Sequence, residues 1–164
     1  HEATLLLPRD RRVLRDGDPA DVLEAITGVP LDPVQLRSVL TGCAPAAEPG
    51  ALAQARSLGT VWRTIPGEPE LYLRRDRDVA PWRLVAAIHR EEPGWRADYA
   101  DFQGDVPRGV RLTSLDGRRF DLRLSLAQVE INVPLEPSVF EVAIPRGTQP
   151  MTLEQLRDAG PLAR

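Results

Sequence analysis

The sequence predicts an α+β fold: a curved antiparallel sheet with short helices packed on one side. Three features of the 164 residues predict it. Two early segments open on Asp-Pro and close on Gly, the punctuation of short helices. A long central stretch alternates apolar and polar residues with period two, broken by Pro-Gly and Asp-Gly turns. Late in that stretch the apolar parity flips, which bends a sheet. Helices precede at least six strands in meander, and a last helix ends the chain, an order that gathers helices on one side of an antiparallel sheet. No repeat or linker interrupts it, so residues 1–164 read as a single domain.

Ala3-Thr4-Leu5-Leu6-Leu7 before Pro8 reads as a strand running into a loop. Asp18 supplies an N-cap, Pro19 a first helical residue and Gly28 a stop around Val22, Leu23, Ala25 and Ile26. Asp32-Pro33 and Gly42 repeat the pattern around Leu36, Val39 and Leu40, which share one helical face. The two segments together read as a helical hairpin packing on something apolar. Residues 44–59 are Ala-rich and weakly periodic, and read as a loop with one helical turn. Strands follow at Val61 to Ile65, ended by Pro66-Gly67, and at Leu71 to Leu73. Trp82, Leu84, Ala86 and Ile88 alternate with Arg83, Val85, Ala87 and His89; after Pro93-Gly94, Trp95, Ala97 and Tyr99 continue the hairpin. Val110 and Leu112 form a strand, and Asp116-Gly117 turns it into Phe120, Leu122, Leu124 and Leu126, set against Arg119, Asp121, Arg123 and Ser125. The parity then shifts to Val129, Ile131 and Val133, predicting a bulge or bend near Ala127-Gln128. A short strand is expected from Phe140 to Ile144, then a capping box at Thr152-Leu153-Glu154-Gln155 and a helical turn stopped by Gly160.

Composition narrows the function. A chain that is 42% hydrophobic and 27% charged folds rather than staying disordered, and its 16 prolines argue against long helices. No apolar run is long enough to span a bilayer. The net charge of −3 argues against a nucleic-acid partner, and the 21 basic residues, all Arg, reflect coding bias more simply than phosphate recognition. One cysteine forms no internal disulfide framework. The chain opens inside an apolar strand at His1, and reads as the C-terminal portion of a larger domain.

The residues offer little for catalysis. His89 is the one internal histidine, and alternation puts it mid-strand on the face opposite the Trp82–Ile88 stripe, with no Gly-x-Ser-x-Gly nucleophile to serve. No catalytic residue, metal ligand or cofactor site is therefore assigned, and no enzyme is expected: the sequence contains no Cys-x-x-Cys, His-x-x-x-His or Asp-rich calcium loop. Asp76 and Asp78 among arginines read as a solvated turn. Leu40-Thr41-Gly42-Cys43 matches a lipobox, but Asp32, Gln35, Arg37 and Ser38 before it are no apolar leader, and Cys43 reads as a helix end. What remains is shape. A curved sheet under helices can enclose an apolar cavity. Its lining would be Trp82, Leu84, Ile88, Trp95, Tyr99, Val110, Leu112, Phe120, Leu122, Leu124 and Leu126, unless these simply fill a core.

Three stretches carry a family resemblance. They are the paired helices Asp18–Leu23 and Leu36–Gly42, the strands at Gly109–Leu112 and Phe120–Leu126, and the end Val129–Leu135 with Phe140 and Ala143–Gly147. Together they resemble the later part of the bacterial outer-membrane lipoprotein-sorting superfamily, the LolA/LolB-like carriers and receptors. That resemblance implies an unclosed β-barrel covered by helices, seen in part, with further strands upstream. It implies a non-enzymatic carrier or receptor that binds acyl chains of lipoproteins, or another lipid, in an apolar cavity. The implied setting is the bacterial cell envelope, in the periplasm or on the periplasmic face of the outer membrane, with peripheral membrane association through an N-terminal anchor absent from this sequence. The alternative is an envelope protein–protein interaction module with a filled core.

Overall fold

The computed structural model describes residues 2–42, 55–130 and 132–159. The chain is α+β, with few helices and a mostly antiparallel, unclosed sheet. It divides into two compact units, one formed by His1–Pro33 with Gln128–Arg164 and the other by Val34–Ala127.

The first unit joins the two ends of the chain. Strands β1 (Ala3–Leu7) and β2 (Arg12–Gly17) form an antiparallel hairpin, and β10 (Gln149–Pro150) adds in parallel to β2. Helix α1 (Pro19–Thr27) starts as its sequence dictates: Asp18 Oδ1 accepts hydrogen bonds from the backbone N–H of Ala20 at 2.9 Å and Asp21 at 3.2 Å. Gly28 ends it in the left-handed region at φ 69°, its N–H donating to Glu24 O. The capping box opens α3 (Leu153–Ala159): Gln155 N–H donates to Thr152 Oγ1 and Thr152 N–H to Gln155 Oε1, both at 3.2 Å. Leu14, Val22, Met151 and Leu156 form the buried cluster of this unit. Gly17 is required by close approach, because a Cβ there would sit 2.6 Å from Leu14 Cδ2 and 2.7 Å from Val22 Cγ2.

The second unit is a meander. Seven strands run in sequence order, every neighbouring pair antiparallel. They are β3 (Arg56–Leu58), β4 (Trp62–Ile65), β5 (Glu70–Arg74), β6 (Arg83–His89), β7 (Trp95–Ala100), β8 (Gly109–Ser114) and β9 (Asp121–Ser125). Helix α2 (Pro33–Thr41) precedes them. Opposite partners share a face, so the register sorts the side chains. Trp95, Ala97 and Tyr99 align with Ser114, Leu112 and Val110, and Leu112 and Val110 in turn with Leu122 and Leu124. The other face is charged: Arg96 Nη2 lies 2.6 Å from Asp98 Oδ1, and Arg111 Nη2 2.7 Å from Asp121 Oδ2.

Four expectations need correction. Arg12–Gly17 is a strand that the sequence analysis did not identify, and Arg56–Leu58 is a strand where a loop was expected. After Ser125 the alternation continues without a ladder: Val129 and Val133 lie in irregular chain, and Ile131 falls outside the described residues. The expected strand from Phe140 to Ile144 is also missing; Pro137–Phe140 forms a turn of 3-10 helix, and irregular chain follows. Alternation permits a strand, but only a partner strand satisfies its backbone groups. Cys43 and Gly160 lie outside the described residues.

Candidate functional site

Within the second unit an apolar cleft of about 160 Å³ opens between α2 and the sheet. Helical spacing turns Val34, Gln35, Ser38 and Val39 of α2 toward it. Leu71 of β5, Leu84, Ala87 and His89 of β6, and Trp95 and Tyr99 of β7 form the opposite wall, with Glu68 and Pro69 of the turn between β4 and β5 at its rim. Trp95 is 3% exposed and Tyr99 7%, so both rings sit in the packed interior while still contributing surface to the cleft.

The expected lining is brought together only in part. Leu84, Trp95 and Tyr99 line the cleft. Val110, Leu112, Leu122 and Leu124 lie on the same face of the sheet, farther along the meander, where Val110 and Leu112 are buried. Phe120 and Leu126 are half-buried residues flanking β9. Trp82 is elsewhere: the guanidinium groups of Arg63 and Arg75 each lie 4.6 Å from its ring centroid.

Ile88 and His89 exchange the faces expected of them. Tyr72 pairs with Ala86 but Leu73 pairs with Leu84, which leaves Val85 as an extra residue in β6. Past that bulge the parity reverses. Ile88 pairs with Glu70 and Arg96 on the charged face, while His89 pairs with Trp95 on the cleft face. An extra residue of this kind leaves no mark in the apolar pattern, because Trp82, Leu84, Ala86 and Ile88 alternate without a break.

His89 is the polar feature that sequence reasoning left without a partner. Its ring stacks on Trp95 with centroids 5.4 Å apart and planes 19° from parallel. Its Nδ1 lies 2.6 Å from Glu68 Oε1, where Nδ1–H donates to the carboxylate. The same oxygen accepts the Arg90 backbone N–H at 2.7 Å, so two donors hold the carboxylate in place. The signal for this pair was topological: the antiparallel pairing of β5 with β6 sets Glu70 opposite Ile88 and so brings Glu68, just before β5, level with the end of β6, and neither residue type announces the other in the sequence.

Beside it, Arg90 Nη2 and Tyr72 Oη each donate to Glu70 Oε2 at 3.0 Å. The bond from Arg90, then that from Tyr72, hold the Glu70 carboxyl below its usual range against the opposing effect of burial. Burial foremost, with the adjacent Glu70 carboxylate, raises the Tyr72 phenol. Among the described residues, no three His, Cys, Asp or Glu side chains gather where they could hold a metal ion. Among those same residues, no helix is long and apolar enough to cross a membrane.

The arrangement is thus a small apolar slot with one fixed imidazole–carboxylate pair at its edge. It can take an apolar group and offer that group a directional polar contact at the imidazole, with Gln35 and Ser38 on the helix side. Compared with protein-family models, with curated proteins and with solved structures, the chain matches none.

Proposed function

We propose that this protein is a non-enzymatic carrier or receptor of the bacterial cell envelope that binds acyl chains of lipoproteins or of another lipid. The cleft between α2 and the sheet carries this reading: Val34, Val39, Leu71, Leu84, Ala87 and Trp95 give it mainly apolar walls. An acyl chain gains roughly 0.8 kcal/mol for each CH₂ removed from water, which such walls supply. An apolar cavity of ~150 Å³ admits a benzene-sized molecule, so the cleft seats the end of a chain and leaves the rest outside. In this reading the unclosed sheet is part of a LolA/LolB-like barrel, with α2 lying on its ligand side.

A fluorescent fatty-acyl ester tests it. Purified protein is expected to bind the ester at one saturable site with little salt dependence, since burial rather than charge drives association. Ala87→Leu, which fills the slot, is expected to weaken binding tenfold or so, taking about 1.4 kcal/mol per decade. Absence of saturable binding by the unmodified protein would overturn the proposal. A second reading, a protein-interaction module of the envelope, draws on exposed apolar side chains in the first unit, among them Leu135, Val139 and Phe140. Under that reading, Phe140→Asp abolishes partner association and the acyl ester never binds.

A further inference from the structure

We infer that the cleft selects an aliphatic chain ending in an uncharged hydroxyl group, with His89 Nε2 as the hydrogen-bond acceptor. The inference rests on the acyl-binding reading and specifies its head group. Nδ1 is committed to Glu68, 2.6 Å away, and stacking on Trp95 fixes the plane of the ring. Among the described residues Nε2 has no hydrogen-bond partner, and the side chain retains 17% of its exposure. A neutral imidazole whose proton sits on Nδ1 presents a lone pair at Nε2. That edge accepts a hydrogen bond and therefore suits a donor.

Charge sharpens the choice. The Glu68 carboxylate behind the ring places negative charge at this end of the cleft, so a fatty-acid carboxylate meets repulsion and offers no proton to Nε2. A hydroxyl supplies the proton and carries no charge. The walls beyond, Leu71, Leu84 and Ala87, suit the attached methylenes. A simple alcohol and the glycerol head of an acylglycerol share this chemistry.

The test compares 1-hexanol, hexanoate and monohexanoylglycerol in mildly alkaline buffer, with binding followed by NMR on ¹⁵N-labelled protein. The intact protein is expected to bind 1-hexanol at least about fivefold more tightly than hexanoate, the scale of one neutral hydrogen bond. The His89 Nε2 resonance should shift on saturation. Tighter binding of monohexanoylglycerol assigns the acylglycerol source, and tighter binding of 1-hexanol the simple alcohol; either supports the inference. His89→Phe keeps a flat apolar ring over Trp95 and should erase the preference for the alcohol. Glu68→Gln keeps an acceptor for Nδ1–H but removes the charge, and should narrow the gap by admitting hexanoate; it also serves if His89→Phe does not fold. Equal binding of alcohol and carboxylate, or an unmoved Nε2 resonance, overturns the inference. If the fluorescent ester still binds in those samples, only the head-group assignment falls; if it does not, the acyl-binding reading falls with it.

Discussion

Leu112 is 1% exposed at the centre of β8, paired with Ala97 and Leu122. Leu112→Ala removes methyl groups from a packed interior and is expected to cost about 2–5 kcal/mol in urea unfolding. The alternation of β9 predicts a sharper contrast: Leu124→Asp should unfold the unit, whereas the exposed neighbouring position accepts Arg123→Asp with almost no change in melting. Equal melts for the two variants would contradict the register. Glu70 gives a pH dependence. Its carboxyl is held below the ordinary value by the Arg90 and Tyr72 hydrogen bonds, so the folded state binds this proton less readily than the unfolded chain. The resulting stabilisation is complete above the ordinary glutamate range and disappears as pH falls through the lowered folded value. Urea melts across an acid series should therefore show a shallower loss in Glu70→Gln than in the unmodified protein. Caps were legible at this scale because they are local: Asp18, Gly28 and Thr152 act on backbone groups within four residues. The His89–Glu68 pair was not, since 21 residues separate partners that only the β5–β6 pairing joins.

Among the elements, β6 is the most instructive. Deleting a residue from a strand ordinarily turns half of it to the wrong face. Deletion of Val85 should instead regularise the ladder: Leu84 stays opposite Leu73, Ala86 opposite Tyr72, and His89 keeps its place opposite Trp95. Circular dichroism should show a retained fold with a modest drop in melting temperature, whereas deletion of Arg111 from the unbulged β8 should abolish cooperative melting. The strands of the meander were readable because each has its partner next in sequence and turn residues between, as at Asp116-Gly117, where Asp116 Oδ1 accepts the Arg118 N–H at 3.0 Å. Beyond β9 the same alternation misled, since Val129 and Val133 pair with no strand among the described residues. The opposite failure is β2, whose short apolar core Val13-Leu14 lies between arginines and becomes a strand through its pairing with β1 and β10.

For the molecule as a whole, the division into units predicts separable folding of the meander. A fragment spanning residues 33–127 contains α2 and every strand pairing of the seven-stranded sheet. It should melt cooperatively with a β-type spectrum and bind the acyl ester, because the cleft residues all lie within it. An unfolded fragment would show that the meander depends on the remainder of the chain. The sequence by itself determined what short-range physics governs: the helix limits at Asp18 and Gly28, the capping box at Thr152, the turn at Asp116-Gly117 and the apolar face of β7 to β9. Tertiary structure alone decided the rest: that β10 returns beside β2, that an extra residue at Val85 turns His89 into the cleft, and that Glu68 meets it there. Local rules act within one helical turn or one hairpin, whereas a face, a partner strand and a hydrogen-bonded side-chain pair are set by which distant backbone satisfies its hydrogen bonds, and that choice belongs to the whole chain.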